Sequence, residues 1–166
     1  SDVRAEGKGR RAGNGPLLIP LKLRARRLDG QGDLVEGILR NFALDGVLQL
    51  KGQQIVSTPM QVRSDKMRGK LLMLIDLATG RYDFGLDGQI SNLLVNGLGV
   101  VDLTSKLRAA PRNDGSFGLS GAALAQIRRL DNSFFRSLGG GLPTLRSGLE
   151  LRPDGQLAFN DLTINA

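Results

Sequence analysis

Apolar and polar side chains alternate along two segments between residues 65 and 90, separated by the turn formers Ala78-Thr79-Gly80-Arg81. Side chains alternate between the two faces of a β-strand, so each segment has one apolar face. A loop of two or four residues would place Leu77 opposite Tyr82 and bring both apolar rows to the same side. The pattern predicts an antiparallel hairpin with these apolar positions: Met67, Gly69, Leu71, Met73, Ile75, Leu77, Tyr82, Phe84, Leu86, Gly88 and Ile90.

The same alternation recurs along most of the chain and predicts a mainly β protein. It covers 17–25, 42–50, 55–62, 93–107, 117–121 and 145–164, and the 23 glycines among 166 residues are typical of many turns. Pro20 cannot donate to a sheet ladder, which predicts an edge strand, or the start of one, there. Residues 1–16 lack periodicity and are interpreted as a flexible basic lead-in. We expect residues 17–166 to form one β-rich domain, a piece of a longer repeat-like protein.

One stretch follows a different spacing. Five apolar residues recur at intervals of four, three, four and four, namely Ala123, Ile127, Leu130, Phe134 and Leu138. This spacing predicts an amphipathic helix over about 122–138, closed by Gly139. The expected architecture is therefore a curved, groove-like antiparallel sheet with one helix packed on its concave side. In that arrangement Ile127, Leu130, Phe134 and Leu138 would cover the groove.

The composition argues against an enzyme. The chain has no His and no Cys, which removes the commonest general base, the commonest metal ligand and the thiolate nucleophile. Ser133 and Ser137 therefore lack an activating histidine. Asp83 and Asp87 would project from one polar strand face, which fits a solvated surface better than an acid–base pair. We expect no catalysis, no metal and no cofactor.

The net charge of +7 is concentrated near the beginning of the chain. Residues 1–30 hold eight basic and three acidic side chains. A basic end favours an anionic partner such as a lipid headgroup, lipopolysaccharide or nucleic acid, and a solvated face is the alternative. Aromatic stacking residues are missing from this region, which argues against nucleic acid. Lys22, Arg24 and Arg26 are the predicted contacts to an anionic headgroup or to a protein partner.

With catalytic, metal and nucleic-acid sites disfavoured, the candidate site is an apolar surface of the sheet. The run 71–75 is apolar on both faces of its strand, so one face could cover a core while the other contacts a ligand. A sheet lined with such residues can hold an acyl chain, although the same pattern also suits an ordinary core. The residues predicted to line the groove are Leu71, Met73, Ile75, Leu77, Tyr82, Phe84 and Leu86.

Two segments resemble a known family. They are NFALDGVLQLKGQQIVSTPMQVRSDKMRGKLLMLIDLATGRYDFGLDGQISNL and SGLELRPDGQLAFNDLTI, at 41–93 and 147–164. Their glycine-punctuated alternating strands are similar to the repeated strands of the AsmA-like superfamily, which includes TamB- and YdbH-like proteins of Gram-negative bacteria. The resemblance covers roughly residues 34–110 and 144–164.

The resemblance implies a location and a function. Members of the superfamily are anchored in the inner membrane and cross the periplasm as long, curled β-sheets with an apolar interior. The expected function is a periplasmic segment of an intermembrane lipid-transport bridge that shields phospholipid acyl chains without chemistry. The alternative is a structural or outer-membrane assembly module whose edge strands pair with a β-rich partner, such as an outer-membrane β-barrel or another periplasmic protein.

Overall fold

A computed structural model of the chain describes residues 3–11, 13, 15–26, 38, 40–131, 133, 137, 141–154 and 156–165. Twelve strands in these residues form one antiparallel sheet, which confirms the mainly β prediction. In the described ranges, no helix has the length and apolar character needed to cross a membrane. The strands are β1 Val3–Glu6, β2 Arg10–Arg11, β3 Leu17–Ala25, β4 Phe42–Lys51, β5 Gln54–Ser57, β6 Met60–Arg63, β7 Met67–Asp76, β8 Tyr82–Val95, β9 Gly99–Pro111, β10 Phe117–Leu130, β11 Thr144–Leu151 and β12 Leu157–Asn165.

The strand order follows the chain order almost throughout. It runs β1-β3-β4-β5-β7-β8-β9-β10-β11-β12, while β2 pairs with β3 and β6 pairs with β4 and β7. The predicted strand 55–62 is divided into β5 and β6, which together bridge β4 and β7. Pro59 lies in the break between them, because proline cannot donate to a ladder. The backbone N–H of Met73 at this break donates instead to Ser57 Oγ at 2.8 Å.

The hairpin β7–β8 has the predicted faces but a different register. Ile75, and not Leu77, pairs with Tyr82, so the prediction is wrong by two residues on one strand. Asp76 causes the difference, because its Oδ1 accepts hydrogen bonds from the backbone N–H groups of Ala78 and Thr79. The turn therefore begins at Asp76, whose own N–H donates to the Arg81 carbonyl across a four-residue loop. Because the register shifts by two residues, the same side chains stay on the apolar face of the hairpin.

One apolar face continues from strand to strand. Leu71 pairs with Leu86, which pairs with Leu107 on the other side. The same row continues through Gly121 and Leu149 to Phe159 in β12. In β3 the alternation of half-buried and exposed residues shows the same two-sided pattern. The apolar face is thus a property of the whole sheet and not of the β7–β8 hairpin alone.

The predicted helix over 122–138 is wrong for residues 122–130, which belong to β10. Ala123 and Ile127 are four residues apart and share a strand face, as they would share a helix face. The three-residue step from Ile127 to Leu130 fits a strand because a β-bulge shifts the register between Ile127 and Arg129. Two strand steps and a bulge therefore imitate helical spacing. Phe134 and Leu138 lie outside the described residues.

The first strands also differ from the prediction. Residues 1–16, interpreted as a flexible lead-in, contain β1 and β2, which both pair with β3. The sheet edge on this side is consequently formed by β1 and β2, so the prediction that the Pro20 strand lies at an edge is wrong. Pro20 faces the interval between β1 and β2, since Glu6 pairs with Lys22 and Arg10 pairs with Leu18. A missing N–H is tolerated at that gap.

Two of the β-bulges are joined by one carboxylate. Asn92 adopts φ 54° at the bulge of β8, a conformation that asparagine tolerates better than most residues. Its N–H donates to Asp102 Oδ1 at 2.9 Å, and Arg128 Nε, at the β10 bulge, donates to Oδ2 at 2.8 Å. Asp102 in β9 thus links both neighbouring strands. The buried cluster Val101, Ile127 and Leu130 lies at this end of the sheet.

Replacing Asp102 by Asn is expected to destabilise the sheet in a pH-dependent way. Hydrogen bonds from the backbone N–H of Asn92 and from the Arg128 side chain hold the pKa of Asp102 below its ordinary value. The carboxylate therefore stabilises the fold above about pH 3.9, and this stabilisation is lost as pH falls through the lower folded-state pKa. Urea unfolding near pH 7 should give a lower free energy of unfolding for Asp102→Asn than for the wild type. This difference in free energy should become smaller as the pH is lowered.

Asp87→Asn is the matched control for that experiment. Asp87 is exposed on the adjacent strand β8, and its side chain makes no hydrogen bond within the described part of the chain. Equal losses of stability for Asp87→Asn and Asp102→Asn would contradict the linking role of Asp102.

Candidate functional site

Six of the seven predicted groove residues lie together on the apolar face of β7 and β8. They form three cross-strand pairs: Leu71 with Leu86, Met73 with Phe84, and Ile75 with Tyr82. All six are half-buried. Leu77 is different, since it lies in the turn and is 56% exposed. The prediction of Leu77 as part of the row is therefore wrong.

The neighbouring strands β9 and β10 add aromatic and apolar side chains to this surface. Phe84 pairs with Ala109, and Phe117 pairs with Pro111 at the turn end of the sheet. The Tyr82 ring stacks with Phe84 at 5.3 Å between centroids and with Phe117 at 6.3 Å. Sequence reasoning placed Phe117 in a returning strand but did not connect it with Tyr82. The strand alternation in the sequence indicates which face Phe117 lies on. The contact with Tyr82 follows only once the register of β8, β9 and β10 is known.

Burial differs between the two ends of the apolar face. Several buried side chains lie on the side of the Leu71–Leu86 pair that is remote from the turn at 77–81. Toward that turn the face opens, and Phe117 is 50% exposed. We call the half-buried residues Leu71, Met73, Ile75, Tyr82, Phe84 and Leu86, together with the exposed Phe117, the open apolar surface. The buried side chains at the other end are Val62, Met67, Val101, Ile127 and Leu130.

Ile127 and Leu130 were predicted to cover the groove from a helix. They instead lie in β10, where they pack with Val101. They therefore belong to the sheet itself and form part of its closed end. No described residue provides the covering layer that the helix was expected to supply.

The predicted headgroup contacts lie on the opposite, polar face. Lys22, Arg24 and Arg26 are exposed and alternate with the apolar residues of β3. Arg24 donates to Asp45 Oδ1 at 2.9 Å. That hydrogen bond, assisted by the charge of the guanidinium, lowers the pKa of Asp45. Arg24 is therefore held by a carboxylate of the neighbouring strand, whereas a contact of these three cations to a ligand stays a prediction.

The carboxylate pair Asp83 and Asp87 lies on the polar face, as expected. Arg108 donates to both Asp83 oxygens, at 2.9 and 2.6 Å. These hydrogen bonds lower the pKa of Asp83, so the carboxylate stays ionised and serves a cross-strand ion pair. Within the described ranges, no three potential metal ligands lie close enough together to hold an ion. That the chain works without a metal and without catalysis stays a prediction.

Comparison of the chain with protein-family models, curated proteins and solved structures finds no match. The candidate site offers apolar contact area on one face of the sheet and charge on the other.

Proposed function

We propose that this chain is a periplasmic segment of an intermembrane lipid-transport bridge. Its sheet would curve around the open apolar surface and shield acyl chains there, with no bond made or broken. The observation that carries the proposal is the continuous apolar face of a single sheet, half-buried at its centre with no covering layer among the described residues.

An uncovered apolar sheet face is energetically unusual. Sheets bury an apolar face against a second layer, because each Å² of exposed apolar surface costs about 25 cal/mol. An acyl chain is long and flexible and has no polar atoms to satisfy, so it could occupy this face at many positions. Ten strands lie along the path of the sheet. At about 4.8 Å between neighbours, the apolar row extends on the order of 40 Å, enough for a chain to lie along it.

The polar face supports the same assignment. Arg24, Arg108 and Arg128 form ion pairs across strands, which keeps the outer face charged and solvated while the inner face stays apolar. The resemblance to AsmA-like proteins supports a parent protein anchored in the inner membrane of a Gram-negative bacterium. In that setting, headgroups would stay near the open edge of the groove and acyl chains would lie inside it.

Native mass spectrometry of the purified chain, with lipid extraction from the same sample, tests the proposal. Phospholipid bound in stoichiometric amount is the expected result, since the open apolar surface should retain acyl chains through purification. A mass free of ligand that stays unchanged after incubation with phospholipid would contradict transport.

A second candidate function is favoured by the exposed edge at β12. Phe159, Leu162 and Ile164 are 65%, 57% and 61% exposed on this last strand of the sheet. The opposite edge is built from the short strands β1 and β2 with Arg10 and Arg11, which discourages pairing. The β12 edge could instead accept a strand of a β-rich partner, such as an outer-membrane assembly protein. A ligand-free mass in the experiment above would favour this function.

A further inference from the structure

Four cations lie together on the polar face, away from the open apolar surface. Arg63 of β6 is directly opposite Arg68 of β7, and Lys70 of β7 is opposite Asp87 of β8. Lys106 of β9 lies on the other side of Asp87. All four cations are exposed. We call Arg63, Arg68, Lys70 and Lys106 the outer basic cluster.

The outer basic cluster is not neutralised in the way that other cations of this face are. Arg24, Arg108 and Arg128 each form a salt bridge with a carboxylate of a neighbouring strand. Among the described residues, no carboxylate lies within salt-bridge distance of any member of the cluster. Asp87 is in register with Lys70 and Lys106, and Asp45 is in register with Gln61 beside Arg63. The pKa of Asp45 is lowered first by the hydrogen bond from Arg24 and also by the charge of Arg63. Four cations against these two carboxylates leave the cluster with an excess of positive charge.

The arrangement is unfavourable for the sheet itself. Like charges directly opposite each other on adjacent strands repel, so the Arg63–Arg68 pair costs stability. A carboxylate at either position would make a favourable cross-strand pair, as Asp83 does with Arg108. The pairing of Arg63 with Arg68 therefore does not stabilise the sheet, although Arg63 is also attracted to Asp45.

A groove of about 430 Å³ lies beside these cations. Its charged lining residues are the cations Arg68, Lys70 and Lys106 and one carboxylate, Asp87, and the uncharged polar residues Gln61, Gln89, Thr104 and Ser105 complete the polar lining. Gly69 and Gly88, which pair with each other, add no side chains to the groove. Three cations against one carboxylate give the groove a net positive charge, and the space is large enough for a small anion.

We propose that the outer basic cluster binds the phosphate group of an anionic ligand. A phosphate group accepts several charge-assisted hydrogen bonds at once, and arginine and lysine are the side chains that provide them. Bound phosphate would also relieve the repulsion between Arg63 and Arg68. This inference is independent of the acyl-chain proposal, because the cluster is on the other face of the sheet.

The test compares two sources of phosphate. Inorganic pyrophosphate is titrated by isothermal calorimetry, and vesicles of phosphatidylglycerol or of phosphatidylcholine are tested by cosedimentation. The Arg68→Gln/Lys106→Gln variant should bind at least about tenfold more weakly, because each lost charge-assisted hydrogen bond contributes strongly to the affinity. The control Lys51→Gln/Arg81→Gln removes the same charge from two exposed positions near the turns at 52–53 and 77–80 and should change binding less than about twofold.

The outcomes separate the sources and can overturn the inference. Binding of pyrophosphate indicates a soluble ligand. Binding of phosphatidylglycerol vesicles but not of phosphatidylcholine vesicles, weakened by Arg68→Gln/Lys106→Gln, indicates a lipid headgroup. Failure of both probes, or equal weakening by the two double variants, would overturn the site. Neither result depends on acyl chains in the apolar face, so failure here leaves the transport proposal untouched.

Thermal stability gives a second readout that guards against misfolded variants. Arg68→Gln alone should raise the melting temperature by about 1–4 °C, because it removes the repulsion with Arg63. A structural role for Arg68 predicts the opposite shift. A lowered melting temperature would therefore overturn the inference.

Discussion

Replacing Met73 by Asp is expected to remove bound lipid from the purified protein. Met73 is half-buried and pairs with Phe84 in the middle of the open apolar surface. Water can hydrate an aspartate at this position in the free protein, so folding should survive. An acyl chain lying across it would strip that water from the carboxylate, at a high cost in free energy. We expect at least about a tenfold loss of extracted lipid per protein.

Leu72→Asp provides the matched control in the same strand. Leu72 is the adjacent residue, projects from the opposite face and is 50% exposed. The two variants carry the same new charge in the same strand and differ in the face that receives it. Circular dichroism should show that both retain the sheet. Lipid that stays with Met73→Asp, or leaves both variants equally, would contradict the assignment of the apolar face as the ligand surface.

Gly46→Ala is expected to lower the free energy of unfolding by about 1–3 kcal/mol. Met60 is completely buried, and a Cβ added at position 46 would lie 2.8 Å from Met60 Cβ. That atom is close to the backbone and cannot swing away. Gly85→Ala is the control, since the nearest atom to its Cβ would be Leu72 Cβ at 4.0 Å. Urea unfolding of the two variants measures the difference.

A double-mutant cycle decides whether the Gly46 effect comes from Met60. Met60→Ala alone leaves a cavity and should itself cost about 2–5 kcal/mol. When Met60→Ala is combined with Gly46→Ala, the added methyl group fills part of that cavity. The double variant should therefore lose about 0.5–3 kcal/mol less unfolding free energy than the sum of the two single losses. Additive losses would show that the two residues do not compete for the same space.

The strand faces could be predicted from the sequence because side-chain alternation depends only on local geometry. That is why six residues from Leu71 to Leu86 were correctly placed on one face of the hairpin. The register could not be read in the same way. The register depends on the hydrogen bonds that Asp76 accepts within the turn. Because of them, Ile75 pairs with Tyr82, whereas the sequence pattern predicted Leu77 at that position.

The helix was mispredicted because a β-bulge changes which positions share a face. Ile127 and Leu130 meet in one buried cluster although they are an odd number of residues apart. No local rule places such a bulge, since it depends on the pairing with β9. The outer basic cluster escaped prediction for a related reason. Arg63, Arg68 and Lys106 are spread over 44 residues and become neighbours only through cross-strand pairing.

The near-sequential strand order has a consequence for how the chain folds. Most strands pair with the strand before and the strand after them, so few loops must close before a pairing forms. Folding can begin at a hairpin such as β7–β8 and spread outward in both directions, with each finished strand offering its edge to the next. Such growth resembles that of repeat proteins, whose units contact only their neighbours. Unfolding by the same route would begin at β1 and β12 and reach the central strands last.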